Sequence, residues 1–240
     1  MLIPLSDPIW SRLYGPYGVQ DVHRVLGQLE QVWTPELSNT LYWEMLFHQD
    51  DLYPVTFAAL PWLWQMVGQR APPDRDAFVF FSMVLLCAGR GEAGHGKYLG
   101  LSLEVGDHAK SWLPPEIRLR PDDMQTLAKL EIWFSQNAEE IATACLETVT
   151  ADDAHAAAVL SAGFCGQRGC YAAANLLQMW ADGHQWEAIK EEVTLSAQDI
   201  ATLTTLWHRL NGKNPEIASF IKEYVGLTPQ DSRQLDLGII

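Results

Sequence analysis

The sequence predicts an all-α protein built of stacked helix–turn–helix pairs, and three observations predict it. Apolar residues recur at helical spacing nearly everywhere, and no Val/Ile/Thr-rich alternating segment of strand type stands out. Prolines, short polar residues and glycines punctuate the chain where helices start and stop. Finally, Tyr42–Val67, YWEMLFHQDDLYPVTFAALPWLWQMV, reads as a helix, a tight turn and a second helix with the heaviest aromatic load in the chain. Such a unit cannot bury its apolar face alone, so it implies helical neighbours stacked into an elongated body.

Each element follows from local signals. Val19 to Gln31 is a modest amphipathic helix after the turn Tyr14-Gly15-Pro16-Tyr17-Gly18, and Pro35 opens a helix to about His48. Pro54 suits the first turn of the next helix, where its missing N–H costs nothing. That helix puts Tyr53, Phe57, Leu60, Trp64 and Val67 on one face, and Pro61 is expected to kink it. Pro72-Pro73-Asp74 starts another, with Phe78, Phe81 and Leu85 on one side, ending near Gly89. Residues 89–120 are the least regular part, an irregular loop with five glycines up to Gly100 and then Pro114-Pro115.

Pro121-Asp122-Asp123 begins the longest helix, its acids near the positive end, with a stripe of Met124, Leu127, Leu130, Phe134, Ile141 and Cys145. Asp152-Asp153 caps a helix of small residues, AHAAAVLSAGFCG, which must lie very close to a neighbour. Gly169 separates it from a helix Tyr171–Ala181, which Gly183 stops. Ser196 with Asp199 resembles a capping box for a helix to Leu210, ended by Asn211-Gly212. Asn214-Pro215 starts the last helix, to Tyr224. Residues 1–226 are thus expected to form a single helical domain, with 227–240 a loosely held tail.

Composition narrows the function classes. A hydrophobic content of 48% is ample for a core, and ten tryptophans suggest a well-packed interior or an aromatic-lined groove. The net charge of −14 is uneven: residues 1–120 hold 13 acids and 9 bases, residues 121–240 hold 17 and 7. Such a surface repels phosphate backbones, which argues against nucleic acid and in favour of a basic protein partner. Leu52–Gln69 is an uncharged run of 18 residues, but Thr56, Pro61, Gln65 and Gln69 dilute it, so it reads as buried helix rather than a membrane span. With no signal-peptide pattern and no dense cysteine framework, a cytoplasmic location is expected.

Beyond these patterns, Asp7 to Val67 resembles bacterial HEAT-repeat-like proteins of the armadillo-type α-superhelix. The residues that carry the resemblance are Trp10, Tyr14-Gly15 or Tyr17-Gly18, and Asp21-Val22, followed by His48-Gln49, Tyr53-Pro54 and Ala59-Leu60-Pro61. The resemblance covers about a quarter of the chain and implies an α–α superhelix, a solenoid that serves as a scaffold; some proteins of this look resemble immunity or adaptor proteins. Asp50 departs from the pattern, standing where glycine is expected after His-Gln. That position should close a helix in the left-handed conformation, which Asp tolerates better than most residues.

Several constellations have a chemical and a structural reading. Glu44, His48, Asp50 and Asp51 set carboxylates beside an imidazole, a combination suited to acid–base work or a metal; the structural alternative is a helix-end histidine and a turn-shaping Asp pair. Gly89-Arg90-Gly91-Glu92-Ala93-Gly94 matches G-x-G-x-x-G, yet a helix rather than a strand precedes it, so it reads as a loop. Cys165 and Cys170, with His155 and His184 on flanking helices, could be imagined as a zinc site, but the C-x4-C spacing is off the usual C-x2-C and the cysteines read as small hydrophobes. No nucleophile elbow, metalloprotease helix or P-loop is present, so neither a cofactor nor a metal is expected.

Trp64 belongs to the apolar stripe, whereas Trp62 falls off it and either packs between layers or lines a concave binding surface. The acids Glu139, Glu140, Glu147, Asp152 and Asp153 are the natural contacts for a basic partner. The expected function is therefore a protein-interaction scaffold rather than an enzyme, with Trp62, Trp64, His48, Asp50, Asp51, Glu139, Glu140, Asp152 and Asp153 as candidate binding residues. The alternative is an enzyme with an all-α pocket that uses His48 with Glu44 or Asp51, or the loop bearing His95.

Overall fold

A computed structural model describes residues 1–48, 50–69, 74–90 and 119–227. The segment expected as an irregular loop, from 91 to 118 with His95 and most of the glycine motif, the expected helix start at Pro72-Pro73, and the residues expected as a tail beyond 227 lie outside the described residues. The fold is all-α in its main elements. Ten α-helices are described: α1 (Val22–Gln31), α2 (Pro35–Thr40), α3 (Pro54–Gly68), α4 (Arg75–Arg90), α5 (Pro121–Glu147), α6 (Ala154–Gln167), α7 (Tyr171–Ala181), α8 (Trp186–Glu192), α9 (Ala197–Leu210) and α10 (Pro215–Val225). Among the described residues no helix is long and apolar enough to cross a membrane. The chain divides into two compact units, Met1–Phe80 with Arg90–Ala138, and Phe81–Gly89 with Glu139–Ile240.

In the first unit, the helices are joined by two small antiparallel hairpins that helical periodicity did not foresee. Strands β1 (Tyr14–Gly15) and β2 (Gly18–Val19) pair Tyr14 with Val19 and Gly15 with Gly18. Strands β3 (Phe47–His48) and β4 (Asp51–Leu52) pair Phe47 with Leu52 and His48 with Asp51. Two residues per strand are too few to show an alternating pattern, which is why the sequence conceals them. They correct two helix boundaries: α1 begins at Val22, and the helix after Pro35 passes into a π-helical stretch, Leu41–Leu46, and stops before Phe47. Asp50 does adopt a left-handed backbone, φ 64°, but it turns the β3–β4 hairpin and does not close a helix.

Helix α3 is the centre of this unit. Pro54 occupies its first turn, as its geometry favours, and the stripe residues Tyr53, Phe57, Leu60 and Val67 are buried. Burial extends all round its first two turns, where Val55, Ala58 and Ala59, which lie off the stripe, are buried too, whereas Trp64 of the stripe is half-buried and Gln65 is exposed. A segment apolar on every side belongs inside, so the one-sided stripe describes only the second half of the helix, where Val67 is buried and Gln65 is exposed. Thr56, fully buried, accepts the Tyr53 N–H at 3.0 Å and donates to the Leu46 carbonyl, so it ties the start of α3 to the π-helical stretch. Phe57 meets Phe134 of α5 edge to face, with ring centres 5.7 Å apart.

The second unit holds a very close helix crossing. A Cβ added at Gly163 of α6 would lie 2.7 Å from Ser82 Cα of α4, and one at Gly166 would lie 2.7 Å from Leu86 Cα. The small-residue helix thus meets α4 nearly backbone to backbone, as its composition predicts. Local caps also form where the sequence signals them. Asp153 accepts the Ala156 N–H at 2.8 Å, Ser196 and Asp199 form a reciprocal capping box, and Asn214 accepts the Ile217 N–H at 3.1 Å.

Candidate functional site

Of the residues singled out in the first unit, His48, Asp50 and Asp51 lie on the β3–β4 hairpin. The loop Pro16–Tyr17 of β1–β2 brings Tyr17 over His48 of β3, with ring centres 5.4 Å apart and the phenol oxygen 3.3 Å from Nδ1. A Tyr17 O–H donated to Nδ1 requires the proton of the neutral imidazole to sit on Nε2. Tyr14 meets Tyr53 edge to face, with ring centres 6.4 Å apart. Gly15 is obligatory here, because a Cβ would collide with the Met45 carbonyl and crowd Val55. His48 sits across the ladder from Asp51, and Asp50 forms the turn between them.

Burial, and secondarily Asp51, pushes the Tyr53 phenol up to about 12, whereas burial alone raises Tyr14. Tyr17 is 57% exposed and His48 is half-buried, so this corner is a surface feature. Glu44, expected one helical turn before His48, is exposed on the π-helical stretch while His48 lies in a strand, so the pair does not share a helix face. Among the described residues no group of three or more His, Cys, Asp or Glu side chains is placed to hold a metal ion.

The two candidate tryptophans have different roles. Trp62 is half-buried and its indole N–H donates to the Ile3 carbonyl at 2.9 Å, while Trp10 grips the next carbonyl, Pro4, at 2.9 Å. Trp62 therefore fastens the N-terminal segment to α3. Trp64 is half-buried on the same helix. An open pocket of about 540 Å³ lies between α1 and α2, lined by Gln28, Gln31, Val32, Thr34, Glu36, Leu37 and Thr40. None of the candidate residues lines it.

In the second unit, the acids chosen as partner contacts are largely engaged within the chain. Glu139 pairs with Arg168 at 2.6 Å, Glu147 pairs with Lys213 at 2.9 Å, and Asp153 caps α6. The Lys213 bond holds the Glu147 carboxyl below its ordinary range. Asp152 and Glu140 are exposed. Cys165 and Cys170 are buried, and Cys170 Sγ lies 3.1 Å from the Thr202 hydroxyl; burial pushes the Cys165 thiol well up. Those are properties of packed small side chains rather than of thiolate ligands.

One group escaped the sequence reading altogether. Trp186 of α8 stands edge-on to Phe220 and Tyr224 of α10, with ring centres 5.7 and 5.4 Å away, and Lys190 Nζ lies 4.7 Å over its ring. The available signal was a tryptophan followed four positions later by a lysine, with Glu187, Glu191 and Glu192 around them. Compared with known proteins, the chain matches no family model, no curated protein and no solved structure.

Proposed function

We propose that this chain is a protein-interaction scaffold, a HEAT-like α–α superhelix that binds a basic protein partner in the manner of an immunity or adaptor protein. The observation that supports the reading is how the cations of the second unit are used. Residues 139–227 hold 12 acids and 5 bases. Four of those bases face internal partners: Arg168 meets Glu139 and the Phe164 ring, Lys213 meets Glu147, Lys190 meets Trp186, and Arg209 lies over Phe164. Exposed carboxylates such as Glu140, Asp182, Glu187, Glu191, Glu216 and Glu223 are left to set the outward field.

A field of one sign attracts an oppositely charged partner and speeds its encounter, and salt screens it. The test is a tagged pull-down from the native cell at low and high salt, followed by reconstitution with the purified partner. A stoichiometric basic protein that leaves as salt rises supports the reading. A clean preparation, or a partner indifferent to salt, overturns it.

A further inference from the structure

The basic-partner reading does not say where the contact is made, and the acids first chosen for it are mostly paired or capping. Helix α8 offers a different surface. Its Trp186 is held on one side by the aromatic cluster of Trp180, Phe220 and Tyr224, in which Trp180 and Phe220 ring centres are 5.6 Å apart. The Tyr224 hydroxyl donates to the Val193 carbonyl at 3.1 Å, which fastens the end of α8 to α10. The indole is therefore pre-oriented, and such aromatics bind at low conformational cost.

That ring already receives a cation, since Lys190 Nζ lies 4.7 Å from its centre. Glu187, Glu191 and Glu192 on the same short helix are exposed, as is Glu223 beside Tyr224. An aromatic face on a helix that also carries exposed carboxylates attracts a cation twice over, through the ring quadrupole and through charge.

We infer that this face of α8 and α10 docks a Lys- or Arg-rich segment of a protein partner, whose cation replaces Lys190 over Trp186. The inference rests on the basic-partner reading. Charge complementarity selects the occupant: three glutamates outnumber the single lysine of α8, and that lysine stands in for the partner's side chain.

The experiment is a titration of the ¹⁵N-labelled full chain with a ten-residue peptide of alternating Lys and Arg at low salt. The indole N–H resonances are followed, and Trp186→Phe assigns the relevant one. The Trp186 resonance is expected to shift saturably with the basic peptide and to stay put with a polyglutamate peptide of equal length. Lys190→Met, which frees the ring, tightens peptide binding about two- to fivefold, and Glu187→Gln with Glu191→Gln weakens it by a similar factor. Peptide binding that leaves the Trp186 resonance unmoved and ignores Lys190→Met overturns the inference while sparing the basic-partner reading. No shift at any indole overturns it as well, and the broader reading is then decided by the pull-down.

Discussion

Asp123 and Arg12, 111 positions apart, form a two-pronged ion pair in which Nε and Nη2 each donate to a separate carboxylate oxygen at 2.7 Å. Both side chains are nearly buried, and Asp123 also accepts the Arg120 N–H at 2.7 Å. Asp123 therefore caps α5 and fastens the segment before β1 to it. The sequence suggested only a favourable helix-dipole position for this acid.

Removing the carboxylate leaves a guanidinium with little water. Asp123→Ala should cost about 2–4 kcal/mol, measured by urea unfolding at neutral pH. The Arg12 bond holds the Asp123 carboxyl below its ordinary 3.8. A depressed folded-state pKa adds stability above the unfolded value, and that stability is lost as pH falls through the folded value. The wild type should thus lose more stability than Asp123→Asn as pH falls below about 4. Parallel acid slopes for the two proteins refute the assignment.

Tyr53 makes the opposite prediction. Its phenol is raised to about 12 from 10.0, first by burial and then by Asp51. A raised pKa adds stability below the unfolded value that is lost as pH rises through the folded one. Stability should fall between pH 10 and about 12, and Tyr53→Phe should blunt that fall. Unfolding followed by circular dichroism across that interval reads it directly.

Asp50 carries a left-handed backbone in a non-glycine residue, φ 64°. Asp50→Gly relieves that conformation and should leave stability within about 0.5 kcal/mol, since the gain is offset by unfolded-chain entropy. Asp50→Val, which is β-branched, should cost about 1–2 kcal/mol. Equal unfolding midpoints for Asp50→Val and wild type contradict the left-handed turn.

The α4–α6 crossing leaves no room for a methyl group. Gly163→Ala should cost about 1–3 kcal/mol, because the Ser82 backbone must yield. Gly183→Ala places its methyl in open space at φ 77°, so its cost is confined to backbone strain, about 1–2 kcal/mol. Thermal unfolding with a double-variant cycle separates the two: Ser82→Gly should rescue part of the loss at Gly163 and none at Gly183.

What the sequence determined by itself is the set of local decisions. Pro54, Pro121, Asp153, the Ser196–Asp199 box and Asn214-Pro215 start helices because caps and proline geometry act within a few residues. The stripe of α5, buried from Leu127 to Cys145 with Met124 half-buried, and the close approach of α6 also follow from spacing and side-chain size. Only the tertiary structure decided that the residues after Tyr14 and Phe47 pair as hairpins, that the first two turns of α3 are buried on all sides, and that Ser82 faces Gly163. It alone also brought Tyr17 to His48, Arg12 to Asp123 and Lys190's tryptophan to Tyr224. These contacts join residues distant in the chain, and their energy depends on which surfaces meet, which no window of neighbouring residues encodes.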